Sequence, residues 1–301
     1  MPRTARAGTR SRRGPAMPHI DARTRVCAIL GHPVAHSLSP ELHNAAFEAL
    51  GVPFVYVAHD VQPGDVARAL EGARAMGYRG LSVTIPHKVE AMHAVDEVDA
   101  TARVIGCINT VVNEGGRLLG HNSDGLGALG ALRDAGGDPR GRRVLVIGSG
   151  GAARAVAVTI AREAPPARIT ILGVELAQLD RLVADVRERG ESEVAGGELT
   201  ARSLAEAVAG AEILLHCSPV GMHPDEGRSV VPPALLRQGM VVLDAVYNPR
   251  RTRLLTDAAA AGCLTVEGVE MFLGQAYVQF ELWTGRKAPR DVMRRVVEAR
   301  L

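Results

Sequence analysis

Nowhere in these 301 residues does an apolar run approach the roughly 20 residues of a membrane span, which excludes a helical integral membrane protein. Paired cysteines are also lacking. Cys27, Cys107, Cys217 and Cys263 stand far apart with no CxxC spacing, so they read as buried thiols of a reducing, cytoplasmic compartment rather than a disulfide framework. A basic surface is missing as well. Residues 1–20 carry Arg3, Arg6, Arg10, Arg12 and Arg13 and no acid, so a whole-chain net charge of +2 leaves the body near −3. Nucleic acid is therefore not the expected partner. No internal repeat occurs, and no low-complexity tract beyond the start. No metal site is expected from the ten histidines; His32 and His36 are four apart, but in a loop without a supporting carboxylate.

The first 24 residues read as a disordered basic tail. A twin-arginine pair is present, but no apolar stretch follows it, so an export signal is not expected, and Met17 is an alternative start. What remains is long enough for two medium domains with substantial cores. Short apolar strands at 25–30, 54–60, 81–85 and 108–113 alternate with helical patterns at 41–50 and 65–76. This is α/β organisation with a mostly parallel sheet. A second series begins at 142–164 with strand, glycine turn and helix, ended by Pro165 and Pro166, and continues with strands at 168–172, 212–218 and 240–247. The domain change is placed near the glycines at 125–130.

In that second series Gly148, Gly150 and Ala153 match G-x-G-x-x-G/A between a strand and a helix. Glycines there permit a tight turn and close approach of a pyrophosphate, and the helix N-terminus supplies N–H groups and positive potential. The pattern points to a Rossmann-like dinucleotide-binding domain.

The first series carries a different signal, beginning with "HSLSPELHN" (36–44). Ser39 before Pro40 and Glu41 is a good helix start, with Ser39 as N-cap. Ser37 has no such duty, and two hydroxyls beside a helix N-terminus make a site for a small carboxylate. In "LSVTIPHK" (81–88), Leu81, Val83 and Ile85 are expected to face a core, with Ser82 and Thr84 on the other side. Lys88 then falls in the first turn of a helix, where the dipole is expected to lower its pKa toward neutrality and suit it to acid–base work. Taken alone, Asp124 reads equally as a cap of the next helix, and Asn109 as a turn residue. Gln275 shares the face of the apolar stripe Met271, Val278 and Leu282, so it needs a partner.

Taken together, the ordered motifs His36-Ser37-Leu38-Ser39-Pro40, Val83-Thr84-Ile85-Pro86-His87-Lys88, Ile108-Asn109-Thr110, Asn122-Ser123-Asp124-Gly125, Gly148-Ser149-Gly150-Gly151-Ala152 and Tyr247-Asn248-Pro249, with "GQAYVQFELWTG" (274–285), resemble the shikimate dehydrogenase family over nearly all of residues 25–300. The resemblance implies a substrate domain of residues 25–124 plus 270–301 and a dinucleotide domain of residues 125–269, with a cleft between. It implies that Lys88 and Asp124 are the catalytic pair and that Ser37 and Ser39 hold the substrate carboxylate. Thr84, Asn109 and Gln275 would bind ring hydroxyls, with Tyr247 at the pocket. Gly148, Ser149, Gly150, Gly151, Ala152, Glu175, Ser218, Ala245 and Gly268 would line the cofactor. The reaction implied is reversible oxidation of shikimate to 3-dehydroshikimate by a monomer or homodimer. A quinate/shikimate dehydrogenase is the near alternative and a non-catalytic sensor of the same fold the distant one, against which the retained Lys88 and Asp124 argue.

Three departures from the family pattern stand out. Ser82 replaces the usual Asn, and Ser123 the usual Thr. The third concerns the cofactor. The family default is NADP, gripped by an Asn-Arg-Thr stretch and a following cation, but here Gly173-Val174-Glu175 and Gln178 occupy those positions. An acid there suits the ribose hydroxyls of NAD and repels a 2′-phosphate, so NAD is expected to be used. Arg154 and Arg181 are the cations left that could approach the phosphate.

Overall fold

The structure is a computed structural model that describes residues 20–300. The expected tail divides at that limit. Residues 1–19 lie outside the described residues, whereas residues 21–24 form a turn, closed by the Thr24 N–H on the Asp21 carbonyl (3.0 Å).

The first half runs β1 (Arg25–Gly31), α1 (Ser39–Ala49), β2 (Phe54–Asp60), α2 (Val66–Ala75), β3 (Gly80–Val83), α3 (Lys88–His93), β4 (Glu97–Val98), α4 (Ala100–Ile105), β5 (Thr110–Glu114), β6 (Arg117–His121) and α5 (Asp124–Asp134). The second runs β7 (Arg143–Ile147), α6 (Gly151–Glu163), β8 (Arg168–Gly173), α7 (Leu176–Arg189), β9 (Glu193–Glu198), α8 (Ala201–Gly210), β10 (Ile213–His216), β11 (Val241–Asp244), α9 (Arg253–Ala260), β12 (Leu264–Val266), α10 (Gly268–Thr284) and α11 (Arg290–Glu298). Most of the apolar runs became strands buried on both faces, whereas β2, at the edge of its sheet, buries only Phe54 and Tyr56. Strands β4, β6 and β9 gave no such signal, being short, glycine-containing or charged at their ends.

The first sheet has the order β2-β1-β3-β5-β6-β4 and is mostly parallel, as expected, with β5 as its antiparallel member. β1 pairs parallel with β2 and β3, and β4 with β6, but β5 runs antiparallel to both β3 and β6. The cause is local. Gly115 and Gly116 both have positive φ (64° and 97°), so a two-residue turn returns the chain as a hairpin instead of a crossover. The second sheet, β12-β11-β10-β7-β8-β9, is parallel throughout. Numbered from β7 its order is 3-2-1-4-5-6, the doubly wound dinucleotide-binding arrangement.

Chain order and packing diverge at the C-terminus. Phe280 and Trp283 of α10 and Met293 and Val297 of α11 pack with Phe47, Phe54 and Tyr56 against the first sheet. α10 also crosses α5 at a very close approach. A Cβ on Gly127 would lie 2.5 Å from the Gln275 backbone nitrogen, and one on Gly274 would lie 2.6 Å from the Gly127 carbonyl. These two glycines bring the helix that bears Gln275 against the helix that begins with Asp124. Gly127→Ala must push α10 away, so it is expected to cost about 1–3 kcal/mol, as overpacked sites do, read as a lowered Tm. An unchanged Tm would show that the crossing relaxes freely.

Of the cysteines, all four are unpaired, but only Cys27 and Cys217 are buried; Cys107 and Cys263 are partly exposed. Among the described residues no helix is long and apolar enough to cross a membrane.

Candidate active site

Lys88 is the first residue of α3, and the chain that leads to it from β3 is fixed at both ends. The His87 N–H meets the Thr84 carbonyl at 3.0 Å, while the His87 ring, 1% exposed, donates to the Val61 carbonyl at 2.8 Å. The Lys88 carbonyl in turn accepts from Ile108 N–H (3.0 Å), tying α3 to the segment before β5. Asp124, first in α5, does not act as a cap. One carboxylate oxygen accepts from Lys88 Nζ at 2.6 Å and the other from Asn109 Nδ2 at 2.7 Å. Asn109, 3% exposed, is no free turn residue, since its Oδ1 accepts from Thr110 Oγ1 (2.7 Å) and Ser123 N–H (2.8 Å). Its amide is thus locked with the NH2 pointing at Asp124.

The expectation that Lys88 has a lowered pKa is overturned. Burial does push it down, but the Asp124 charge and its hydrogen bond outweigh burial, and the ammonium is held above the ordinary lysine value. The negative partner sits on the lysine itself, which the sequence placed 36 residues away.

The helix-end role expected of Ser39 falls to Ser37. α1 begins at Ser39 itself, with Leu38 at the N-cap position and no side-chain cap; instead Ser37 Oγ accepts from the Ser39 N–H at 3.3 Å. Ser39 is buried at 5% exposure and Ser37 is half-buried. Thr84 is half-buried beside Gly31, whereas Ile85, expected in the core, is 68% exposed because β3 ends at Val83. Gln275 is half-buried and donates to the carbonyl of Phe272 at 3.0 Å, leaving its own oxygen available. Tyr247 is 47% exposed and stacks on Phe272, with ring centroids 5.8 Å apart. His32, read as lacking a carboxylate, pairs with Asp60 at 2.7 Å.

Sequence reasoning missed a buried polar chain behind these residues. The Tyr56 hydroxyl donates to Ser82 Oγ (2.7 Å), which donates to Gln279 Oε1 (2.9 Å). Gln279 Nε2 reaches Thr110 Oγ1 (3.0 Å) and the Asn109 carbonyl (3.2 Å). One continuous set of bonds therefore links α10 to Asn109, Asp124 and Lys88. The signal was there in Gln279, one helical turn after Gln275 and flanked by Phe280 near Trp283.

In the second sheet Gly148 leaves β7 with φ +121°, and a Cβ there would lie 2.6 Å from the Cys217 carbonyl. Only glycine fits. A Cβ on Gly150 or Gly151 would meet nothing within 4 Å, and Gly150, the N-cap position of α6, offers no side-chain cap. The first-turn N–H groups of a 13-residue helix thus stand uncapped beneath open space, which fits a pyrophosphate. Ser149 packs against Gly173, and Ala152 follows in the first turn of α6. Ser218 follows β10, Ala245 follows β11, and Gly268 opens α10 close against the Val246 carbonyl, so all three gather at the carboxyl ends of the strands. Glu175 is exposed at the N-cap position of α7 with no cap bond of its own. Arg154 is withdrawn from any phosphate, because its guanidinium bonds the carbonyls of Val104 (2.6 Å) and Ile105 (2.7 Å) and the carboxylate of Asp185. Arg181 is exposed, with Nε on the Ala177 carbonyl (3.0 Å).

A doubly wound parallel sheet with an open glycine turn, beside a mixed sheet that carries a lysine–aspartate pair, defines an α/β dehydrogenase of two sheets. The comparisons agree. Residues 29–111 match the shikimate dehydrogenase substrate binding domain, and residues 268–298 the shikimate 5′-dehydrogenase C-terminal domain. A shikimate dehydrogenase (NADP(+)) of Moorella thermoacetica is 43% identical over 290 residues, covering 93% of this chain and 95% of its own. Shikimate 5-dehydrogenase from Listeria monocytogenes, solved with shikimate and NAD, superposes with TM-score 0.89 at 33% identity over 92% of this chain and 98% of that one. Quinate dehydrogenase from Corynebacterium glutamicum, solved with NAD, superposes with TM-score 0.82 at 27% identity over 92% and 99%. The chain belongs to the shikimate dehydrogenase family.

Proposed function

We propose that this chain catalyses the reversible oxidation of shikimate to 3-dehydroshikimate with a nicotinamide dinucleotide. The observation that carries the reading is the Lys88–Asp124–Asn109 cluster, a half-buried ammonium and carboxylate bonded at 2.6 Å with the carboxylate oriented by a buried amide. In this reading residues 25–124 with 270–301 hold the substrate and residues 125–269 the cofactor.

Lys88 takes the hydroxyl proton as the secondary alcohol is oxidised and returns it to the oxygen in the reverse direction. With its ammonium favoured by Asp124, Lys88 rests as the acid, poised for reduction; oxidation draws on the smaller amine fraction. Asp124 keeps Nζ in position, and Asn109 holds Asp124. Ser37 and Ser39 receive the substrate carboxylate; Thr84, Asn109 and Gln275 meet its hydroxyls, and Tyr247 borders it. Gly148, Ser149, Gly150, Gly151 and Ala152 would hold the pyrophosphate, with Ser218, Ala245 and Gly268 toward the nicotinamide and Glu175 toward the adenosine ribose. The nicotinamide, when bound, supplies the acceptor or donor of the hydride.

Initial rates with shikimate and with quinate, each with both cofactors, test the reading; no turnover of either acid would overturn it. A quinate/shikimate activity with NAD is the second reading, favoured by one observation, the exposed Glu175 where a phosphate-binding cation would stand. Changing Ser37 and Ser39 together to Ala is expected to raise KM by about a hundredfold or more with kcat less affected, because each hydrogen bond to a charged group contributes roughly 1.5–3 kcal/mol. A fall in Tm with KM unchanged would leave the serines only their helix-end role.

A further inference from the structure

A buried titratable pair outside the Lys88 cluster has no part in the chemistry above. His216 ends β10 and Asp244 ends β11, at 1% and 0% exposure. His216 Nδ1 lies 2.9 Å from Asp244 Oδ1, and Nε2 lies 2.6 Å from Ser218 Oγ. Asp244 is otherwise surrounded by donors. Its Oδ2 accepts from Thr252 Oγ1 (2.7 Å) and its Oδ1 from the Val246 N–H (3.0 Å). A carboxylate only accepts, so Nδ1 must carry a proton; in the neutral ring Nε2 then only accepts. With the ring neutral, the Ser218 hydroxyl donates inward to Nε2.

That choice fixes what Ser218 shows to a ligand. One lone pair faces the Val220 N–H at 3.4 Å, and on this half-buried side chain one is left for a ligand. The place is the switch point of the second sheet. β7 and β10 are neighbours whose following segments diverge, and a Cβ on Gly148 would lie 3.5 Å from Ser218 N. Ligands of doubly wound sheets bind in the crevice at such points.

We propose that His216, held by Asp244, is a positioning residue that makes Ser218 a hydrogen-bond acceptor for an N–H or O–H of the nicotinamide–ribose half of the dinucleotide. The inference rests on the dinucleotide reading above and adds His216 and the polarity of Ser218 to it. No proton moves in this role; the imidazole sets only the direction of a hydrogen bond.

Isothermal titration of the full chain with NADH and NADPH, and with ADP as the probe that lacks the nicotinamide half, tests it. Ser218→Ala is expected to weaken the better-bound dinucleotide about three- to tenfold, the worth of one neutral hydrogen bond, and to leave ADP unchanged. Two substitutions of His216 separate its contacts. In His216→Gln the amide oxygen reaches the place of Nε2 and can still accept from Ser218, so affinity is expected to stay near wild type. His216→Asn keeps a donor for Asp244 but falls short of Ser218, so it is expected to behave as Ser218→Ala, and the double variant Ser218→Ala/His216→Asn no worse than either. Unchanged dinucleotide affinity in Ser218→Ala overturns the proposal, as does equal loss for ADP, or equal loss in His216→Gln and His216→Asn. A wild-type chain that binds neither dinucleotide overturns the underlying reading as well.

Discussion

Lys88→Ala is expected to lower kcat for shikimate oxidation by about two to four orders of magnitude, the range for loss of a positioned acid–base group. KM should change little, because in the proposed function other side chains hold the carboxylate and ring hydroxyls. The pH dependence adds a second, sharper test. Burial alone would depress the Lys88 pKa, but the charge and hydrogen bond of Asp124 raise it above the ordinary lysine value. The sign follows directly. Below that raised value the ammonium dominates, so reduction finds its proton donor in place across the neutral range, while oxidation gains steadily as the solution becomes more alkaline. Asp124→Asn removes the charge that raises the pKa and leaves burial, which lowers it. The alkaline rise of kcat/KM for oxidation is therefore expected to move to lower pH in Asp124→Asn, whatever happens to the maximum rate. A fully active Lys88→Ala enzyme, or an Asp124→Asn profile that stays in place, would refute the assignment.

The same pair shows how far a sequence can be read and where the reading stops. The periodicities placed β1 and β2 within a residue of their bounds, and the strand–glycine turn–helix block at 142–164 contains β7 and α6, because apolar stretches stand there between clear turn residues. The hairpin of β5 and β6 escaped, although Gly115-Gly116 between two apolar stretches is a turn signal in its own right. For Lys88, the helix-end position was legible and the pKa was not. The local dipole can be argued from neighbours in the chain, but the carboxylate that dominates comes from 36 residues away and only folding brings it to 2.6 Å. The burial of Gln279 was legible beside Phe280, but what its amide bonds to was hidden for the same reason. Its partners Ser82 and Thr110 come from two strands that pair with each other, at separations no local pattern encodes.

Cofactor choice is expected to tilt away from NADP, with kcat/KM for NAD comparable to or better than that for NADP. The physical reason is what surrounds the end of β8. Val174 is 68% exposed there, Glu175 is exposed without a cap bond, and no lysine or arginine occurs between Gly173 and Gln178. Each charge-assisted bond to a 2′-phosphate contributes roughly 1.5–3 kcal/mol, so a site without two of them forgoes about two orders of magnitude or more in affinity for the phosphorylated cofactor. Glu175 adds repulsion of the phosphate and an acceptor for a ribose hydroxyl. Arg154 cannot compensate, because two carbonyls and Asp185 already hold its guanidinium against α4 and α7. Arg181 has room to turn, since its Nε bonds the Ala177 carbonyl of its own helix. Two substitutions distinguish these contributions. Glu175→Arg replaces repulsion with a phosphate-binding fork and is expected to raise kcat/KM for NADP about tenfold or more, with NAD reduced. Arg181→Ala is expected to change neither cofactor by more than about twofold, as a solvated surface charge does. A hundredfold or greater preference of the wild-type enzyme for NADP would overturn this account, and a collapse of NADP turnover in Arg181→Ala would identify the residue that supplies the missing charge.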